Sequence, residues 1–363
     1  MAAPANTSQK EIEITRIFNA AQDRLVLQAS DMSLETVAAM VEKGAIDTQP
    51  SYQRRERWSP KRQSALIESF LLNIPIPPVY LAEEAYGKYT VIDGKQRLST
   101  ITRFMRNKFS LGELEKFTAL TGFTFEKLPT EPRNALEIRP YVRVITLLKQ
   151  SDPDLKYEVF ERLNTGGEAL YAQEIRNAAF RGKLNDLLFE LSTSNFLRQQ
   201  LKISKNNEPA YLQMQDVEYV LRFITMRDSW TNFSGDYRRS MDKFMEKNRD
   251  PSPVQLGAIR KVFLDALTRC EVFWGADAFK RYDGASARNQ FLAGMYDAQM
   301  VGVSLLSAAK VKKLTLRVPQ IRRATRKLFE GGQFEGWVRS GTNTRSSVEG
   351  RIGAIKNMLD SIA

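Results

Sequence analysis

Histidine is absent from this 363-residue chain, and that absence excludes more chemistry than any residue present suggests. Without imidazole there is no Ser-His-Asp or Cys-His nucleophile, no HNH-type nuclease site and no typical catalytic zinc site. Cysteine occurs once, at Cys270. A disulfide framework within the chain is therefore excluded, and a reducing compartment is expected. No apolar run approaches the length of a membrane span, and Met1–Lys10 lacks the apolar core of a signal peptide. A soluble, cytoplasmic protein without membrane partners is expected. The Gly-x-x-x-x-Gly-Lys-Ser/Thr phosphate loop is missing too. Any nucleotide site must rest on other residues.

Negative charge is the minority sign. The formal net charge is +12 and the isoelectric point about 9.6, which points to a polyanionic partner, with DNA the first candidate. The excess is partly concentrated. Lys310, Lys312, Lys313, Arg317, Arg322, Arg323, Arg326 and Lys327 follow one another with no acidic residue among them. Lys312, Lys313, Arg322, Arg323 and Arg326 are the candidate DNA contacts, through backbone phosphate and independent of sequence. The alternative is a solvated basic face that only aids solubility. Arg54, Arg55 and Arg57 form a second cluster.

Apolar periodicity divides the chain. Residues 1–15 are small and polar and are expected to fray. A helix is expected over Ser33–Glu42, capped by Ser33 and stopped by Gly44. A second runs from Pro60 to Asn73, with Ser59 as its cap. Strands are expected at Val79–Ala82 and Tyr89–Ile92, turned by Tyr86-Gly87-Lys88, and at Tyr141–Leu147. Residues 110–138 read as irregular. Beyond about residue 183 the patterns are helical: Leu184–Leu191, Gln215–Met226, Ser240–Lys247, Val254–Phe273, Ala287–Ser307 and Val318–Phe329, with no convincing strand pair. The expectation is an α+β fold, with a domain at 16–185 followed by an all-helical domain at 186–363.

Three polar clusters interrupt the first domain. The most informative is Tyr89-Thr-Val-Ile-Asp93-Gly94-Lys95-Gln96-Arg97, where a β-rich run breaks into a helix-period pattern at Leu98, Ile101, Phe104 and Met105. Backbone N–H groups of such a loop and the helix N-terminus converge on one spot that attracts anions. Gly94 permits close approach of a ligand, Lys95 supplies a point charge, and Arg97 can fork onto two phosphate oxygens. Asp93 either carries a Mg²⁺-bound water or orients an attacking water, and Gln96 orients that water or bonds the backbone. The bland alternative is a strand-to-helix turn with Asp93 as cap and Arg97 at the surface, replaceable at little cost to the fold. The second cluster, Tyr52-Gln53-Arg54-Arg55-Glu56-Arg57-Trp58, lines the same pocket, contacts DNA or bridges structure. The third, Phe160-Glu161-Arg162-Leu163-Asn164-Thr165-Gly166-Gly167, ends a helix at Gly-Gly and offers Asn164 and Thr165 as nucleotide contacts. It leads into Gln173-Glu174-Ile175-Arg176-Asn177, which a helical salt-bridge face explains equally well.

In this order and spacing the clusters resemble the N-terminal domain of GmrSD-type modification-dependent restriction enzymes, a branch of the ParB/sulfiredoxin-like superfamily. The resemblance covers about residues 25–185. It rests on Tyr52-Gln53-Arg54…Trp58, on Asp93-Gly94-Lys95-Gln96-Arg97, and on Phe160 through Asn177. One departure is Lys95, which stands where the family pattern has Gln. The resemblance implies a loop that binds a nucleoside triphosphate with Mg²⁺ and, in some relatives, hydrolyses it. Asp93, Gln96 and Arg97 would be catalytic, Asp93 would be the metal contact, and Gln53, Arg54, Gly94, Lys95, Arg97, Asn164 and Thr165 would hold the nucleotide. It implies a nucleotide-binding, DNA-sensing or regulatory subunit of a defence-type restriction system, an NTPase rather than a His-dependent nuclease, with cutting supplied by another chain. The alternative is a non-enzymatic DNA-binding adaptor whose loop grips backbone phosphate.

Overall fold

A computed structural model describes residues 9–22, 24–48, 58–152, 171–283 and 286–363, together with 155, 158–159 and 162–163. The chain divides into two compact units, Met1–Leu170 and Tyr171–Ala363.

The first unit is α+β. Helix α1 (Gln9–Gln22) is followed by strand β1 (Leu27–Ser33), α2 (Leu34–Glu42) and the short β2 (Ile46–Asp47). Next come α3 (Pro60–Leu71), the hairpin β3 (Val79–Ala85) and β4 (Lys88–Asp93), α4 (Lys95–Met105), α5 (Thr130–Ile138) and β5 (Tyr141–Leu147). The strands form one mixed sheet in the order β1-β5-β3-β4-β2. β5 runs antiparallel to β1 and parallel to β3, while β4 is antiparallel to β3 and parallel to β2.

Local chemistry accounts for these elements. The Ser33 hydroxyl accepts from the Thr36 N–H at 3.1 Å and the Ser59 hydroxyl from the Arg62 N–H at 3.3 Å, so both helices begin at their expected caps. Leu34, Val37 and Ala38 of α2, Leu66, Ile67 and Phe70 of α3, and Leu98, Ile101 and Phe104 of α4 are buried against Val79, Leu81, Val91, Val142 and Val144 of the sheet. Glu68, on α3, accepts N–H bonds from Glu115, Lys116 and Phe117 at 3.1, 2.6 and 3.0 Å. Those bonds anchor a stretch that has little secondary structure of its own.

Three features of this unit depart from expectation. α1 begins at Gln9, inside the segment expected to fray, and its Ile12, Ile14, Ile17 and Phe18 are exposed. β1 was not expected because it is an edge strand of mixed polarity, held by its ladder to β5 and by the Arg143–Asp31 pair at 2.8 Å. α5 lies within the stretch expected to be irregular. It buries only Leu136 and has no side-chain cap, so periodicity does not betray it.

The second unit is helical: α6 (Ala172–Ala179), α7 (Lys183–Ser192), α8 (Asn195–Gln200), α9 (Pro209–Leu212), α10 (Gln215–Ser229), α11 (Tyr237–Lys247) and α12 (Pro253–Trp274). A hairpin, β6 (Lys280–Asp283) and β7 (Ser286–Phe291), precedes α13 (Ala293–Ser304), α14 (Ala308–Thr315), α15 (Val318–Lys327), α16 (Gln333–Arg339) and α17 (Arg345–Ile362). The hairpin corrects the expected helix over Ala287–Ser307 and the expected lack of a strand pair. Helix begins only at Ala293, because Lys280, Tyr282 and Asp283 pair with Phe291, Ala287 and Ser286 as antiparallel strands.

α13 is buried from Gly294 through Val303, so it forms the axis of this unit's core. A Cβ on Gly302 would lie 2.9 Å from Ile355 Cγ2, which explains how α17 packs so closely there. Asp297 of α13 is fully buried and takes a fork from Arg222 at 2.7 and 2.8 Å, a bond from Arg351 at 2.6 Å and the Tyr237 hydroxyl at 2.8 Å. Burial alone would raise its carboxyl, but Arg222 and Arg351 outweigh that and hold it below the usual range. Among the described residues no helix is long and apolar enough to cross a membrane.

Candidate functional site

The Asp93–Arg97 loop sits where β4 ends. Tyr80 pairs with Asp93 but Leu81 pairs with Val91, so one extra residue is accommodated at Ile92. A bulge of this kind re-aims the side chain that follows it. Gly94 then adopts φ 95°, in the left-handed region, and α4 starts at Lys95. A Cβ at Gly94 would meet Val79 Cγ2 at 2.7 Å and the Arg97 guanidinium at 3.2 and 3.3 Å. Both dihedral and space call for glycine.

Helix α4 has no side-chain cap; its first intrahelical bond runs from the Leu98 N–H to the Gly94 carbonyl at 2.9 Å. Asp93 is therefore not the capping residue of the bland reading. The first-turn N–H groups carry the positive end of the helix dipole. Lys95 and Gln96 flank them, both half-buried.

Arg97 is not the surface arginine of the bland reading. It is 9% exposed, donating from Nη2 to Asp93 Oδ2 at 2.5 Å and from Nη1 to the Pro77 carbonyl at 3.1 Å. It thus ties the strand end, the helix start and the segment entering β3 into one rigid corner. Asp93 remains 39% exposed at its side chain, and its Oδ1 has no partner among the described residues. Sequence reasoning missed Pro77 and Val79, which frame the loop. The extended Pro75-Ile-Pro77-Pro78 run was the available signal.

Gln53, Arg54, Asn164 and Thr165 lie outside the described residues. Trp58, at the end of the second cluster, is held by the Gln63 side chain, whose Nε2 donates to its carbonyl at 3.1 Å, and by Arg62 stacked 4.9 Å over its ring. Gln173, Glu174, Arg176 and Asn177 are buried within the second unit. Arg176 donates to Asp242 at 2.7 Å and Glu218 at 3.1 Å, Gln173 to Asn177 at 2.9 Å, and Glu174 accepts from the Tyr171 N–H at 2.9 Å. Their geometry is that of a structural hub.

The basic residues of 310–327 also sort into two groups. Arg322 donates to the Phe273 carbonyl at 3.0 Å, and Arg326 lies 5.4 Å over the Tyr282 ring. Both are half-buried and bound into the core. Lys312, Lys313 and Arg323 are exposed. Among the described residues no group of three or more carboxylates or thiols gathers to hold a metal ion.

Residues 37–181 match the family model of the GmrSD restriction endonuclease N-terminal domain. No curated protein matches the chain, and no solved structure does. The matched stretch begins within α2 and runs through α6 with the whole Asp93–Arg97 corner, and leaves α7 through α17 outside it. The chain therefore carries a GmrSD N-terminal domain, the N-terminal domain of a class of restriction endonucleases, followed by a helical unit beyond the match.

Proposed function

We propose that the chain is a nucleotide-binding, NTP-hydrolysing subunit that senses DNA for a modification-dependent restriction system, with the nuclease supplied by another chain. The observation that carries the reading is the corner at Gly94. A left-handed glycine delivers the uncapped first turn of α4 to the end of β4, between the Lys95 and Gln96 side chains. That arrangement suits a phosphate group held by backbone amides. In this reading Lys95 neutralises phosphate charge, Gln96 orients the attacking water, and Arg97 acts through Asp93, holding its carboxylate in place. Gln53, Arg54, Asn164 and Thr165 complete the nucleotide contacts.

Mg²⁺ arrives with the nucleotide. A single carboxylate whose Oδ1 has no partner among the described residues suits an ion that keeps most of its water and takes its other ligands from phosphate. When bound, it supplies charge neutralisation on the phosphate oxygens. With no histidine in these residues, His-dependent DNA cutting lies outside this sequence, and the purified chain should leave DNA intact with or without Mg²⁺.

The test is titration calorimetry of the chain with each nucleoside triphosphate and Mg²⁺, with and without DNA. Binding that needs no DNA, and that Lys95→Glu weakens roughly tenfold or more while the melt is unchanged, supports the reading. The exposed Lys312, Lys313 and Arg323 favour one other reading, a DNA adaptor with no nucleotide. Heat of DNA binding with no nucleotide heat would establish it instead.

A further inference from the structure

The second unit turns one corner at which cations accumulate without counter-charge. α14 ends at Thr315, Leu316 and Arg317 form the joint, and α15 begins at Val318. Both helices are pinned from beneath, α14 by Leu314 and α15 by Ile321 and Thr325, all fully buried. Pinning decides what faces outward. Lys312, Lys313 and Leu316 are exposed on one arm, and Gln320, Arg323 and Lys327 on the other. On α15 the spacing is three and four residues, the spacing of one helix face, while Lys312 and Lys313 are neighbours near the end of α14.

Neighbouring cations already have partners. Lys310 and Lys356 reach Asp360 at 2.7 and 2.9 Å, Arg281 and Arg339 share Glu335, and Arg288 pairs with Asp283. Lys312, Lys313, Arg323 and Lys327 have no ion pair among the described residues, and no acidic residue lies between Lys310 and Phe329. Four adjacent like charges left uncompensated repel one another, and an external polyanion relieves that repulsion.

We infer that the α14–α15 elbow is a docking face for DNA, in which Lys312, Lys313, Arg323 and Lys327 neutralise backbone phosphates. The inference rests on the DNA half of the proposed function and deepens it; it is independent of the nucleotide half. Two other polyanions fit less well. A membrane needs an apolar face to insert, but α15 buries its apolar face in the core and the elbow offers only Leu316, 85% exposed. An acidic protein interface would favour aromatic anchors and disfavour lysine, and the elbow's exposed residues include no aromatic.

The experiment is binding of a fluorescent duplex at several salt concentrations, for the parent and for Lys312→Gln, Lys313→Gln, Arg323→Gln and Lys327→Gln combined. Each lost phosphate contact removes about 0.9 from the log–log salt slope, so the slope should shrink by roughly 3 to 4. A control variant carries Gln at four exposed cations elsewhere in the unit, Lys205, Arg239, Lys243 and Lys247, and should keep the parent slope. If the fourfold variant melts early, the pair Lys312→Gln and Lys313→Gln is read instead, with a loss of roughly 2. An unchanged slope in the elbow variants, an equal loss in the control, or a parent that binds phosphatidylserine vesicles but no duplex would each overturn the assignment. Nucleotide titration run in parallel keeps the two readings apart. The elbow variants should bind nucleotide as the parent does, and a parent that binds no nucleotide leaves the DNA result standing.

Discussion

Arg97→Ala is expected to destabilise the first unit, whether or not nucleotide is present. The substitution strips the Pro77 carbonyl of its 3.1 Å donor and the Asp93 carboxylate of its 2.5 Å partner. A buried acceptor left without a partner costs about 1–3 kcal/mol, but Pro77 is an exposed residue, so water recovers part of that cost. Asp93 is 39% exposed at its side chain, so water recovers part of its share. The vacated space against Gly94 adds a packing loss, since the guanidinium lies only 3.2–3.3 Å from where a Cβ there would sit. The sum is about 1–3 kcal/mol, a sizeable part of the roughly 5–15 kcal/mol that holds a domain together. Arg97→Lys keeps one charge but cannot serve both acceptors from a single nitrogen in the same geometry, and about half that loss is expected. Urea denaturation followed by circular dichroism measures both. A change within about 0.5 kcal/mol for Arg97→Ala, the behaviour of a surface arginine, would refute the structural role assigned here.

Gly94→Ala combines a left-handed backbone with a 2.7 Å contact to Val79 and should cost about 2–4 kcal/mol. In a double variant with Val79→Ala, the melting temperature should recover only in part. Asp297→Asn leaves Arg222 and Arg351 buried without their anion and should cost about 3–5 kcal/mol by urea denaturation; a loss under about 1 kcal/mol would contradict the cluster's role. Burial alone pushes the Glu68 carboxyl up, but the N–H groups of Phe117, Lys116 and Glu115 outweigh it and hold it below the ordinary range. Its contribution is complete above the unfolded value of about 4.3 and is lost as pH falls through the lower folded value. Melts of Glu68→Gln should therefore lie well below the parent at neutral pH and converge on it below about pH 4.

What the sequence made legible was local. Ser33, Ser59 and Pro60 mark helix starts because capping is a contact between neighbours, and Gly87 marks the β3–β4 turn for the same reason. The two-unit organisation was visible in the change from strand-rich to helical patterning. Elements stabilised by distant partners were not visible. β1 is mixed in polarity with no fully buried residue and exists through β5, α5 buries a single leucine, and β6–β7 is a charged ribbon inside helical sequence. At the candidate site the Asp-Gly break and the helix start were legible. The direction of Arg97 was not, because it depends on Pro77, twenty residues away along the chain. Likewise the run 310–327 showed its charge but not that Arg322 and Arg326 are spent on Phe273 and Tyr282.

The central claim is that the first-turn amides of α4 cradle a phosphate. Hydrogen–deuterium exchange at the amides of Gly94 to Arg97, with and without a saturating nucleoside triphosphate and Mg²⁺, tests it most directly. Exchange at Lys95 and Gln96 should be slowed by nucleotide, with no such change in α14 and α15. Nucleotide that binds while these amides exchange at the rate of the free protein would contradict it.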